Sequence, residues 1–186
     1  DRYDLRMGYS RFLSGDYNEA EHFFKRIADN SDYAEHATYY QSYIAYTRGK
    51  YDVAREGFNS LLKSPQYRDL MPFYVMQIDF KEGKYREVVD RGETLVANTT
   101  SDQMVQMERI MAESWFQLDD FSQAVEYMSK YKVHGGTMGR VENYIMGYSL
   151  HRRAFYVEAV PYLREACGAD DMLTQNASYH LADCYL

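Results

Sequence analysis

The sequence contains little proline, little cysteine and no long apolar segment. Its 186 residues include three prolines and two cysteines. Proline inside a helix removes a hydrogen bond and clashes with the preceding turn, so its scarcity favours an almost wholly helical chain. Cys167 and Cys184 form neither a disulfide framework nor a zinc spacing, and both a pair of small buried side chains and a single disulfide stay open. No apolar run reaches the roughly 18 residues of a membrane-spanning helix.

Positive charge is also scarce. The chain has 21 Lys and Arg against 28 Asp and Glu, a formal net charge of −7. Binding of nucleic acid normally requires a basic stripe, so we do not expect a nucleic-acid partner. No metalloprotease His-Glu-x-x-His, Gly-x-Ser-x-Gly or phosphate-binding glycine loop is present. The five histidines fall in separate parts of the chain, and we expect no catalytic site, metal or cofactor; they are His22, His36, His134, His151 and His180.

Tyrosine, in contrast, is abundant, with 20 copies. Tyrosine is only a middling helix former, so helix propensity does not explain this number. Its large apolar ring and polar hydroxyl suit partly buried interfaces. The tyrosines are therefore the first candidates for a binding surface.

Five short turns divide the chain at regular intervals. Each is a small or polar segment followed by an aromatic residue, and they cover residues 14–17, 48–51, 82–85, 118–121 and 153–156. Three residues after each aromatic comes a small side chain, and these are 34, 34, 36 and 35 residues apart: Ala20, Ala54, Val88, Ala124 and Ala159. A period of this length between two apolar helical patterns indicates stacked helix-turn-helix repeats.

We therefore predict one array over residues 1–186 with about eleven helices. Its repeats cover about 1–34, 35–68, 69–102, 103–138 and 139–173, and a closing helix covers 174–186. The third repeat is the least regular, and Gly92 within it should cost about 1 kcal/mol of helix stability. A loop is predicted at 98–102. The chain begins in repeat phase and ends within a first-helix pattern, so we expect a fragment of a longer protein.

The repeated residues resemble tetratricopeptide repeats (TPR) over essentially the whole chain. The family has small residues where its paired helices, A and B, cross. Here the first repeat has Gly8 and Ala20, followed by Phe24, and the fifth has Gly147 and Ala159. The resemblance implies an all-α, right-handed superhelical solenoid of five repeats plus a final helix.

The residue patterns of segments 15–24 and 179–186 are most similar to those of large bacterial cell-envelope TPR proteins, including the TolA-binding and outer-membrane-assembly types. This resemblance implies a periplasmic or cell-envelope location, with the cytoplasm as the alternative.

The resemblance also implies that A helices line a concave groove that holds a segment of a partner protein. The predicted function is a non-catalytic interaction scaffold with a tyrosine-rich groove. Chaperone-type carboxylate clamps have Lys and Asn where this chain has Leu5 and Tyr9, so that function is not expected. The candidate partner-binding residues are Arg6, Tyr9, Tyr39, Tyr40, Tyr43, Tyr74, Gln77, Arg109, Tyr144 and Tyr148.

Three alternatives stay open. The tyrosines could pack between neighbouring A helices and leave only their hydroxyls at the surface. However, Tyr39, Tyr40 and Tyr43 cannot all face one core, because successive residues diverge by about 100° around a helix. The array could also form a homo-oligomer. The aromatic rings could also bind glycans, although repeats without inserted loops fit this function less well.

Overall fold

The computed structural model describes residues 1–99 and 101–186, and over these residues it contains eleven α-helices and one short 3-10 helix. The helices are Arg2–Leu13 (α1), Tyr17–Phe24 (α2), Ala34–Thr47 (α3), Tyr51–Ser60 (α4), Met71–Lys81 (α5), Tyr85–Ala97 (α6), Ser101–Gln117 (α7), Phe121–Val133 (α8), Arg140–Arg152 (α9), Tyr156–Ala166 (α10) and Met172–Asp183 (α11). The prediction of an all-α chain with about eleven helices is confirmed. The predicted loop 98–102 is shorter, because α7 begins at Ser101; Thr100 lies outside the described residues.

The helices pack in sequential pairs, α1 with α2, α3 with α4, α7 with α8 and α9 with α10. The chain divides into two compact units, residues 1–78 and 79–186, and α5 contributes residues to both. Within the described ranges, none of the helices combines the length and apolar character that a membrane span requires.

The core of the first unit consists of two apolar clusters. One surrounds Phe24 and Ile44, with Phe12 and Tyr40 packed against it. The other surrounds Phe58 and includes Leu61, Tyr67 and Met71, with Tyr39, Tyr43, Tyr46 and Tyr74 packed against it. Aromatic side chains of the A helices therefore contribute to both clusters.

The predicted small residues are buried. All five, Ala20, Ala54, Val88, Ala124 and Ala159, are at most 1% exposed. A Cβ added at Gly8 would lie 2.5 Å from the Phe24 ring, and one added at Gly147 would lie 2.8 Å from Leu163. Gly8 and Gly147 thus allow close packing of α1 on α2 and of α9 on α10.

All five turns have the same backbone conformation, including the two that lack glycine. Left-handed φ angles occur at Gly15 (79°), Gly49 (72°), Gly83 (73°), Asp119 (60°) and Ala154 (62°). At the last turn the amide of Phe155 donates to the carbonyl of Leu150 at 2.9 Å, which closes the helix end. Ala154 is the least suitable of the five residues, because a Cβ is strained in this conformation and alanine has no polar side chain to compensate.

Gly92 has a packing role that the repeat pattern did not reveal. It is buried in α6, and a Cβ at this position would lie 2.0 Å from Sδ of Met111 in α7. The close approach of α6 and α7 therefore explains a glycine in the middle of a helix, where it weakens local helix stability.

We expect Ala54→Leu to lower the free energy of unfolding by about 1–3 kcal/mol, because the larger side chain overpacks a fully buried site. Urea unfolding followed by circular dichroism measures this change. Val53→Leu is the matched control, since Val53 is the preceding residue of α4 and is 59% exposed. Equal unfolding midpoints for Ala54→Leu and the wild type would contradict the assigned phase.

We expect Ala154→Gly to raise the free energy of unfolding by about 1 kcal/mol, because glycine adopts a positive φ without strain. Gly49→Ala should have the opposite effect of similar size. A Cβ at Gly49 would have no neighbour within 4 Å, so this variant isolates the backbone cost. Differential scanning calorimetry of both variants checks the prediction, which fails if the two shifts have the same sign.

Candidate functional site

The ten predicted site residues occupy three equivalent positions of the repeat. Residues 34 to 36 apart in the sequence correspond to one another, and on this basis the candidates form three rows. The first row is Arg6, Tyr40 and Tyr74; the second is Tyr39, Arg109 and Tyr144; the third is Tyr9, Tyr43, Gln77 and Tyr148. The structure gives the rows different environments.

In the first row, the two tyrosines pack against B helices. The Tyr40 ring stacks on Phe24 with centroids 5.2 Å apart and planes at 11°. One repeat later, the Tyr74 ring stacks on Phe58 at 4.8 Å and 16°. Both rings are therefore part of the packing between helices, whereas Arg6 is exposed on α1.

Tyr39 of the second row is fixed by two contacts. Its ring stacks on Tyr67 at 5.1 Å and 18°, and its hydroxyl lies 3.0 Å from the hydroxyl of Tyr74. Burial raises the pKa of Tyr39. Burial and the hydrogen bond with Tyr39 raise the pKa of Tyr74 far above its usual range. Both side chains consequently stay neutral, and their hydrogen bond holds α3 against α5.

In the first unit, the third row has fixed rings and unused hydrogen-bonding groups. Tyr43 contacts Phe12 at 5.4 Å and lies perpendicular to Tyr74 at 5.9 Å. Oε1 of Gln77 accepts a hydrogen bond from the Tyr46 hydroxyl at 2.8 Å. Among the described residues, the hydroxyls of Tyr9 and Tyr43 and the amide nitrogen of Gln77 have no hydrogen-bond partner.

We call Tyr9, Tyr39, Tyr43 and Gln77 the tyrosine face. All four belong to the first unit and come from α1, α3 and α5. The aromatic rings of the face connect through Phe12, Tyr40 and Tyr74. None of the four carries a charge, and Tyr9 is the most accessible, with 43% of its surface exposed.

The three remaining candidates lie in the second unit, where neighbouring side chains use the polar groups of Arg109 and Tyr148. The Arg109 guanidinium pairs with Glu113 and lies 3.7 Å from Glu142. Burial raises the pKa of Glu113, and Arg109 partly opposes this shift. The rings of Tyr144 and Tyr148 are in contact at 5.7 Å.

Tyr148 is engaged on two further sides. Its hydroxyl accepts a hydrogen bond from Nη1 of Arg152 at 2.9 Å, and its ring meets the His180 ring edge-on at 4.7 Å. Burial lowers the pKa of His180, and the neighbouring His151 contributes to the shift. Nε2 of His151 in turn lies 2.6 Å from Oδ2 of Asp183.

No metal site is evident in the described part of the chain, because no three His, Cys, Asp or Glu side chains form a suitable group there. Cys167 and Cys184 are free thiols.

Sequence reasoning missed Tyr67 and gave no role to Tyr46. Tyr67 lies outside the helical pattern, after Pro65, yet it is only 7% exposed and stacks on Tyr39. Its position in a loop left no periodic signal. Tyr46 lies on α3, and its hydrogen bond to Gln77 depends on the distance between two helices, which the sequence does not specify.

We expect the stability of the chain to fall between about pH 10 and pH 12, in part because burial raises the pKa of Tyr67 from 10.0 to about 12. A tyrosine with a raised pKa in the folded state stabilises fully below its unfolded pKa, and this contribution is lost as the pH rises towards the folded pKa. Urea midpoints across this range measure the loss. Tyr67→Phe should show a smaller alkaline loss than the wild type, and an equal loss would contradict the assignment.

Comparison with known proteins supports the fold. No family model matches the sequence, and no curated protein matches it significantly. The chain is similar to a solved structure described as "MamA RS-1 ArsTM double mutant", with a TM-score of 0.69 and 15% sequence identity. The match covers 99% of this chain and 92% of that one. MamA is a TPR protein, and the chain has a MamA-like TPR fold of paired helices.

Proposed function

We propose that this chain is a non-catalytic scaffold that binds a segment of another protein over the tyrosine face of its first unit. The TPR fold supports a protein partner in general. The observation that carries the more specific proposal is the set of unpaired polar groups on Tyr9, Tyr43 and Gln77, among rings that are already held in place.

Pre-organisation favours binding at this face. Tyrosine provides a large contact area with few rotatable bonds and is enriched in binding hot spots. The neighbours of Tyr43 on α1 and α5 restrict its ring before any partner arrives. Little side-chain entropy is then lost on binding, and more of the contact energy remains as affinity.

The rings of the third row differ in packing from those of the first row. The rings of Tyr40 and Tyr74 lie flat against phenylalanines. The rings of Tyr9 and Tyr43 are tilted or edge-on to their aromatic neighbours, and no described residue uses their hydroxyls. These hydroxyls therefore support the proposal that the third row binds a partner. A cell-envelope location is part of this proposal and rests on the sequence resemblance to envelope TPR proteins.

A random peptide display library, selected on the whole chain, tests the proposed function. We expect selected peptides to lose about tenfold or more in affinity for Tyr43→Ala, because hot-spot truncations typically cost that much. Tyr9→Ala should also weaken them. Fluorescence anisotropy with labelled peptides gives the dissociation constants, and circular dichroism checks that each variant is folded.

Tyr3→Ala is the matched control, since Tyr3 also lies on α1, is 65% exposed and is not on the tyrosine face. Its affinity for the peptides should match that of the wild type. Light scattering at the same concentrations distinguishes peptide binding from self-association. Peptides that bind Tyr9→Ala and Tyr43→Ala as tightly as the wild type would overturn the proposal.

A further inference from the structure

We infer that α11 carries an acid-sensitive contact, in which protonation of the paired imidazoles of His151 and His180 loosens the second half of this helix from α9. The inference concerns the second unit and is independent of the proposed function. It follows from the hydrogen-bond donors and acceptors around the two rings.

The two imidazole rings lie against each other between α9 and α11. Their centroids are 4.9 Å apart, with planes at 54°. Nε2 of His151 lies 2.6 Å from Oδ2 of Asp183, and the His151 side chain is 11% exposed. The Nδ1 atoms of both histidines are buried and have no hydrogen-bond partner among the described residues. The two rings therefore have one carboxylate between them.

This arrangement accepts few protons. An imidazolium carries a proton on both ring nitrogens, so each charged ring requires two acceptors. A proton added to Nδ1 of either histidine would become a buried donor without an acceptor, and Asp183 is already bonded to His151. A buried donor without a partner costs the desolvation free energy of that group. Protonation is therefore favoured where the rings separate and both nitrogens reach water.

The electrostatic surroundings of His180 act in the same direction. The titratable side chains around the two rings come from α9, α10 and α11, and they are Tyr148, Arg152, Tyr156, Tyr179, Asp183 and Cys184. Burial lowers the pKa of His180, His151 and Arg152 add to this shift, and Asp183 opposes it.

The sign of the pH dependence follows from the lowered pKa of His180. Such a histidine stabilises the fold fully above its unfolded pKa, near the ordinary value of 6.5. This contribution is lost as the pH falls below that value towards the folded pKa, because the unfolded state then binds more protons. The contact of α11 with α9 should therefore weaken in mild acid.

The start of α11 is held by a pair that does not respond to mild acid. Nη1 and Nη2 of Arg140 donate to the two carboxylate oxygens of Asp171, both at 2.9 Å. The Arg140 guanidinium and the backbone amide of Thr174 hold the pKa of Asp171 far below its usual range, so this carboxylate stays ionised. Acid thus loosens the second half of α11 and leaves its first half anchored.

Amide hydrogen exchange of the whole chain, followed by NMR between about pH 7.5 and about pH 5, tests the inference. After correction for the intrinsic pH dependence of exchange, protection of residues 180–183 should fall at least about fivefold more than that of residues 175–177. His180→Phe keeps an aromatic ring that cannot be protonated, so this difference should largely disappear. His22→Phe is the matched control, since His22 is exposed on α2, and it should respond to acid like the wild type.

Asp183→Asn tests the contact in the opposite direction and leaves both imidazoles in place. It removes the negative charge that favours protonation of His180, so protection of residues 180–183 should fall further than in the wild type at the same pH. Protection that does not depend on pH, an equal fall in both halves of α11, or an equal fall in His180→Phe and the wild type would contradict the inference. A smaller fall in Asp183→Asn than in the wild type would also contradict it.

Discussion

Close crossing of paired helices at small residues is the constraint on which the rest of the structure depends. Ala20, Ala54, Val88, Ala124 and Ala159 are essentially inaccessible, and Gly8 leaves no space for a Cβ beside Phe24. A helix that must present its small residue to a partner cannot rotate about its own axis. Each crossing thus determines the direction of every other side chain on the pair, including the tyrosines, whose own helix propensity would not orient them.

Because the repeat has a regular period, tyrosines at equivalent positions can make equivalent contacts. Tyr40 and Tyr74 are 34 residues apart and make the same stacked contact with phenylalanines that are also 34 residues apart. Tyr39 is adjacent to Tyr40, so it lies about 100° away around the helix, where it contacts Tyr67 instead. Tyr39 and Tyr43 therefore pack against the cluster around Phe58, and Tyr40 packs against the cluster around Phe24, as their angular separation requires.

Much of this fold could be predicted from the sequence, because helix pairing and the small residues at the crossings leave a periodic signal. The same period also assigns the ten candidate residues to their three rows. Contacts that depend on side-chain distances were not predictable: the hydrogen bond of Tyr46 to Gln77, the stacking of Tyr67 and the approach of Met111 to Gly92. Periodicity also does not specify where a helix ends: α2 ends at Phe24, and Ile27 is buried beyond it.

Equivalent positions of the repeat differ in which polar groups their neighbours leave unpaired. The third row continues into the second unit as Tyr148, where Arg152 donates to the hydroxyl and His180 packs against the ring. In the first unit, by contrast, the hydroxyl of Tyr43 has no such partner among the described residues. The period thus predicts where a side chain lies, whereas its neighbours decide whether its polar group is free. In the first unit, the neighbours of the row are aromatic rings that hold the side chains without using their hydrogen-bond donors.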